Sequence, residues 1–172
     1  EIDDASLSIL FAVAQEESAT KSENIKFGIH QRMREGKALL NHTRFLGYTK
    51  DAEGQLVIVP EEAEIVRKIF SLYLEGNGVR KIKRYLEEHG IRTVTGKAEW
   101  STSTIDRMLS NEKYMGILLL QKTYTPDFLT GKQKKNRGEL SMYMIEDAHK
   151  AIIEKEVFEA VQKKKRWSTS CK

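Results

Sequence analysis

The stretch from Trp100 to Gly116, WSTSTIDRMLSNEKYMG, carries the side chains whose types and spacing best suit chemistry. Ile105, Met108 and Leu109 fall at i, i+3 and i+4, the spacing of one helix face. At about 100° per residue the opposite face holds Ser103, Asp106, Arg107 and Ser110. Ser101 stands where its hydroxyl can cap the helix by accepting a bond from a free backbone N–H. Thr104 and Lys113 extend the polar set. Hydroxyls and one guanidinium on a short helix are groups that reach base edges and phosphates in a DNA major groove. The same pattern fits a small surface helix with a solvated polar side, and the helix alone does not decide between the two.

No catalytic or metal-binding constellation stands beside this set. Glu16 and Glu17 are adjacent on a helix, so their carboxylates point about 100° apart and cannot share one site. Ser6, Ser8, Ser18 and Ser22 have no His or Lys arranged to activate them. There is no phosphate-cradling glycine loop. His30, His42, His89 and His149 are far apart, and the single cysteine, Cys171, excludes a disulfide framework or a cysteine metal cluster within the chain. By spacing alone the chain is a binding module.

The remaining chain must position the helix. Its 172 residues, 40% hydrophobic and 31% charged, suffice for one domain with a core, or a domain with an extension. A net charge of +4 and a pI near 9.0 favour an anionic partner only weakly. No apolar run reaches membrane-spanning length and no secretory signal opens the chain, so no membrane partner is expected and a reducing, cytoplasmic setting is the default.

Residues from about Asp4 to Gly36 read as one long helix, with Leu7, Leu10, Phe11 and Ala14, then Ile25, Ile29 and Met33, as apolar stripes. Its length, roughly 50 Å, exceeds what a small domain covers, so the first half is expected to pack on something else or on a second copy of itself. The chain opens at Glu1, within this helix and without Met, as a piece of a longer protein would. Lys37, Asn41, His42 and Arg44 then either track phosphates or sit in a solvated loop.

Phe45 to Thr49 and Gln55 to Val59 flank the turn composition DAEG and predict a β-hairpin. Pro60, Glu61 and Glu62 open a helix whose core face is Ile65, Val66, Ile69, Phe70 and Tyr73. Val79 to His89 forms the next, burying Ile82, Tyr85 and Leu86, with Arg80, Lys81, Lys83 and Arg84 spread around it. Two helices before a short hydroxyl-rich third resemble a helix-turn-helix, although Gly90 to Trp100 is longer than the usual tight turn. That loop, with Arg92, Thr93 and Lys97, is a second candidate to lie on DNA.

After Gly116, ILLLQK and Ser141 to Ile145 read as strands around a basic loop holding Lys132, Lys134, Lys135 and Arg137. Nucleic-acid contact and plain solvation both fit that loop. Glu154 to Trp167 closes the chain as a helix with Val157, Phe158 and Val161 inward and a KKKR run suited to its own C-terminus. The expected fold is mainly α with small β-hairpins (α+β), a long N-terminal helix followed by a helix-turn-helix-like DNA-binding domain.

The order of these segments resembles that of the large serine recombinases, the serine integrases and conjugative-transposon resolvases. AQEESATKSENIKFGIHQRMREGK is similar to the end of their catalytic domain, where a long helix makes the dimer contact. FLGYTKDAEGQLVIVPEEAEIVRKIFSLYLEG is similar to the opening of their recombinase domain, VRKIKRYLEEHGIRTVTGKAEWSTSTIDRMLSNEKYMG to its DNA-reading segment, and AHKAIIEKEVFEAVQ to its closing helix. Ala151 departs from the family, which often has Pro there; this touches a turn.

The resemblance implies a connecting and dimerisation helix over 1–36, the end of a truncated resolvase-type catalytic domain, and a recombinase DNA-binding domain over 37–172. It implies double-stranded DNA as partner, bound at attachment sites during site-specific integration and excision by a mobile genetic element. It also implies self-association through the long helix. In the family a serine attacks a DNA phosphodiester, and that serine lies upstream of the long helix. The chain is therefore expected to be inactive alone and to hold no cofactor. Zinc is expected only in a downstream ribbon, since Cys171 cannot make a four-ligand site. From the residues alone, a helix-turn-helix transcriptional regulator with a dimerising N-terminal helix stands as the alternative.

Overall fold

The computed structural model describes residues 13, 16, 17, 20, 21, 23–29, 31, 32, 45–126 and 131–170, without the side chains of 168–170. The chain divides into two compact units. One is Glu1–Leu39 with Leu119–Tyr143; the other is Leu40–Leu118 with Met144–Lys172.

The second unit opens with the expected hairpin. Strands β1 (Tyr48–Lys50) and β2 (Leu56–Ile58) pair antiparallel, Tyr48 opposite Ile58 and Lys50 opposite Leu56. Asp51 makes the turn: its carboxylate accepts the Gln55 N–H at 2.8 Å and its carbonyl accepts the Gly54 N–H at 3.1 Å. Helix α1 (Pro60–Leu74) starts on proline, whose missing N–H is harmless in a first turn. No side chain caps it at Val59. Glu62 instead accepts the Gly47 N–H at 2.8 Å, which ties the hairpin to the helix.

Helices α2 (Val79–Glu88), α3 (Thr102–Leu109) and α4 (Lys155–Ser170) pack with α1 around one core. Val66, Ile69, Phe70, Ile82, Leu86, Ile105, Leu109 and Val161 are among its fully buried members. Three positions expected inside are only half-buried: Ile65, Val157 and Tyr85. Tyr85 lies along the edge of α2 with its ring stacked on His89 at 4.0 Å.

Two further expectations need correction. Ser101 does occupy the N-cap position of α3, but its hydroxyl makes no capping bond; it pairs with the Ser103 hydroxyl at 2.6 Å. The carbonyl of Ser101 takes the Thr104 and Ile105 N–H groups instead. The KKKR run is not the end of its helix either. Helix α4 continues to Ser170, so Lys163 to Arg166 lie before its last turn and are available to other elements.

The first unit is described over fewer residues. Those described between 13 and 32 are helical, with Val13, Ile25 and Phe27 exposed. Leu7, Leu10, Phe11, Ala14, Met33 and the helix stop at Gly36 fall outside the described residues. Strand β3 (Leu118–Leu120) pairs with β6 (Tyr143–Ile145), as the two apolar runs suggested. The basic loop is not structureless: β4 (Thr123–Tyr124) and β5 (Lys134–Lys135) form a second antiparallel hairpin within it. Buried Asn136 organises the return. Its amide nitrogen donates to the carbonyls of Gln121 and Leu140, at 2.9 and 2.7 Å. Its amide oxygen accepts the N–H groups of Gly138 and Leu140, at 3.0 and 3.2 Å.

Gly116 sits between the 3-10 turn Glu112–Met115 and β3 with φ at +80°. A Cβ there would meet the His149 carbonyl oxygen at 2.8 Å. Gly116→Ala therefore adds left-handed strain and a contact with rigid backbone, together about 1–3 kcal/mol of lost stability. Urea unfolding measures this, and a loss below about 0.5 kcal/mol would show that the turn relaxes without cost.

Candidate nucleic-acid interface

Trp100 sets where α3 begins. Its side chain is 1% exposed, and its indole N–H donates to the Ile91 carbonyl at 2.7 Å. Its backbone N–H donates to Glu87 of α2 at 2.8 Å. The long connection from α2 is thus pinned at its far end to the helix it left. Between these points residues 93–97 form a built turn. Thr93 and Lys97 exchange two bonds, at 2.9 and 3.1 Å, Gly96 donates to the Thr93 carbonyl at 2.8 Å, and Arg92 donates to the Gly96 carbonyl at 3.0 Å.

Turn and helix enclose an open groove of about 780 Å³. Ser101, Thr104 and Arg107 of the expected recognition face line it, with Thr93 and Lys97 from the turn. Among the described candidates these are brought together. Ser103, Thr104, Arg107 and Ser110 are all exposed, as the helix periodicity required. The polar face is nevertheless split. Ser110 donates to the Asp106 carbonyl at 2.9 Å and accepts from Lys165 at 2.6 Å, so that edge of α3 is engaged with α4.

The other candidates fall elsewhere or take other roles. Arg92 is exposed, but its guanidinium braces the turn. Arg80 shares the stripe of α2 that includes Lys83, whose side chain lines the groove. Lys81 lies on another face of α2, in a separate cleft with Arg84 and Tyr85. Lys113 is half-buried, its ammonium 5.8 Å from the centre of the Phe45 ring. Lys134 and Lys135 are exposed on β5 of the first unit. Lys37, Asn41, His42 and Arg44 fall outside the described residues.

Sequence reasoning passed over Lys83, Val94, Thr95 and Asn111, which also line the groove. The signal for Lys83 was present in its spacing: Glu87 follows at i+4, and the two approach to 3.6 Å. Glu99 joins Lys83 at 3.4 Å but its side chain is 84% exposed, so this pair is screened and weak.

A family model described as Recombinase matches residues 60–167, which include α1 to α3 and all of the groove's lining residues but Phe45. The chain belongs to the recombinase family. The resemblance to recombinases read from the sequence is borne out by this match, which lies after the first of its four segments. The chain is 27% identical over 133 residues to a Bacillus subtilis (strain 168) protein named "Putative DNA recombinase", covering 74% of this chain and 26% of that one. It is 29% identical over 112 residues to "Uncharacterized protein YbcK" of Escherichia coli (strain K12), covering 60% and 22%. The chain thus spans about a quarter of the length of these curated relatives.

Two solved structures share the fold at 20% identity and 81% coverage of this chain. One, described as a crystal structure of an LSR–DNA complex, has a TM-score of 0.57 over 36% of its chain. The other concerns the sequence requirements of the Listeria innocua prophage attP site and has a TM-score of 0.55 over 50% of its chain. The α+β architecture expected from the sequence is the architecture of these domains. Among the described residues no helix of this recombinase chain is long and apolar enough to cross a membrane.

One titratable group supports the backbone behind Lys113. The Nε2 of His149 lies 2.6 Å from the Lys113 carbonyl, which only accepts, so Nε2 carries the proton. Nδ1 is buried with no hydrogen-bond partner among the described residues, and the ring meets Tyr48 edge-on at 5.0 Å. Burial therefore holds the His149 pKa below its ordinary value. The unfolded chain protonates near pH 6.5 while the folded chain resists, so this contribution is intact above that pH and is lost progressively as pH falls from there through the lowered folded-state value. His149→Gln should flatten the fall in unfolding free energy between about pH 7.5 and 5.5. Equal slopes for variant and wild type would place the titration elsewhere.

Proposed function

We propose that the second unit is the DNA-binding recombinase domain of a large serine recombinase, reading attachment sites during site-specific integration and excision. The observation that carries this is the groove where Thr104 and Arg107 of a short exposed helix meet Lys97 of a braced turn. In this reading the partner is double-stranded DNA, and α3 enters the major groove with Arg107 toward the bases. Ser101, Ser103 and Thr104 contact base edges or phosphates beside it. Lys97, Lys83 and Arg80 lie toward phosphates.

The match to recombinases and the fold shared with an LSR–DNA complex support this reading. The long N-terminal helix serves connection and self-association in the same proposal, supported by exposed Val13, Ile25 and Phe27 on its described residues. Strand cleavage belongs to a catalytic domain with its own serine, and the reading domain works without a cofactor in the cytoplasm.

A guanidinium bonded to guanine discriminates against the wrong base by about 1–3 kcal/mol, whereas a phosphate-bound lysine adds affinity and about one unit of salt slope without sequence preference. Arg107→Ala is expected to relax specificity at one or two base pairs, and Lys97→Ala to weaken binding evenly. The measurement is titration of each variant, at several salt concentrations, on a duplex selected by the wild-type chain from a random pool and on its scrambled counterpart. If Arg107→Ala loses equal affinity on both, Arg107 is a phosphate anchor. If the wild type selects no sequence, specific reading by this domain is wrong.

A further inference from the structure

The C-terminal half of α3 is held by α4 through side chains that no part of the DNA-reading proposal uses. An α-helix leaves its last four carbonyls without helical partners. In α3 every one of them is taken. Arg107 and Met108 carbonyls accept the N–H groups of Ser110 and Asn111, at 3.2 and 3.1 Å. The Leu109 carbonyl accepts the Gln162 side-chain amide of α4 at 2.6 Å. The Asp106 carbonyl accepts Lys165 of α4 at 3.1 Å as well as Ser110. Lys165 also reaches the Asp106 carboxylate and the Ser110 hydroxyl, both at 2.6 Å.

An ammonium has three protons to donate, and three acceptors on α3 lie within hydrogen-bond reach of Lys165. Its side chain is only 20% exposed. A helix of eight residues does not hold itself together or fix its own direction. Its orientation comes from the Trp100 anchor at one end and from these bonds at the other. A cation at the helix C-terminus also opposes its negative dipole end and neutralises Asp106, which would otherwise repel DNA.

We infer that Lys165 and Gln162 are positioning residues for DNA reading, fixing the C-terminal half of α3 and hence the approach of Arg107 without touching nucleic acid. The inference rests on the proposal that α3 reads DNA. It assigns a specificity role to the KKKR helix, whose basic side chains would otherwise be taken for phosphate contacts.

The test uses the full chain with Lys165→Met and, because that change also removes a charge, the neutral Gln162→Leu. The first readout is the affinity ratio between the selected and scrambled duplexes. Simple loss of folded protein lowers both affinities together and leaves this ratio alone. Both variants are expected to reduce the ratio about tenfold, and the neutral Gln162→Leu to do so with the salt slope unchanged. A Lys165→Met variant that loses affinity equally on both duplexes, with a slope shallower by about one unit, would make Lys165 a phosphate contact and overturn the inference.

Hydrogen exchange in the free chain gives a second readout that needs no DNA. The amides at the end of α3 should exchange about tenfold faster in both variants while those of α1 keep their protection. Unchanged α3 exchange in both variants would likewise overturn it. Failure of the wild type to select any sequence would instead sink the DNA-reading proposal, and the exchange result would still decide whether α4 holds α3.

Discussion

Tyr114 donates its buried hydroxyl to the Leu46 carbonyl at 3.1 Å, joining residues far apart in sequence. Its own carbonyl accepts the N–H groups of both Ile152 and Ile153 at 2.9 Å. Its ring lies 5.1 Å from Phe45 and 6.0 Å from Phe70. One residue thereby fastens the hairpin, the turn after α3 and the entrance to α4. Burial pushes the phenol pKa well above its usual range, so the hydroxyl is a neutral donor near neutral pH. Removing that hydroxyl would leave a buried carbonyl unsatisfied, a cost of about 1–3 kcal/mol. The placement of α4 against α3, and with it the reach of Gln162 and Lys165, follows from this junction.

The two ends of α3 are held by different physics. At the start, a buried indole makes a neutral bond in an apolar setting, where water does not compete. At the end, the Lys165–Asp106 pair is partly open to solvent, with the aspartate side chain 54% exposed. Such a pair contributes at most about 1 kcal/mol to stability. Its consequence is directional: one ammonium on three acceptors restricts the helix more than it strengthens the fold. Overall stability therefore lies with Trp100, Tyr114 and the aliphatic core, and fine orientation lies with α4.

Periodicity and turn composition make the helices, the first hairpin and the outward face of α3 legible in the sequence, because each is set by local spacing. Arg107 is exposed because Ile105, Met108 and Leu109 are not. The division of that face was illegible, because the partner of Asp106 and Ser110 lies 59 and 55 residues away in sequence. The hairpin inside the basic loop was missed for a similar reason. Its strands have two residues each, too short for a period, and its organiser Asn136 bonds across 15 residues to Gln121. Lys81 and Arg80 looked equivalent as adjacent basic residues, yet adjacency on a helix means different faces. The family resemblance was legible because it rests on the order of four segments, which needs no three-dimensional information.

In the proposed complex the size of α3 limits what it reads. Eight residues span about 12 Å of helix axis. Successive bases on one strand are about 3.4 Å apart, so this helix reaches three or four of them at most. One arginine and a few hydroxyls over that distance give modest discrimination, and a net charge of +4 gives modest non-specific affinity. A longer site then demands further reading elements. In the same proposal the turn at 93–97 is a candidate for one: it lines the same groove, its backbone is already bonded in place, and Val94 is exposed on it. An apolar side chain on a preformed turn loses little entropy on contact and suits a thymine methyl better than a phosphate. In the proposed complex, helix and turn divide the work, with Arg107 fixed from behind by α4 and the turn fixed by its own hydrogen bonds.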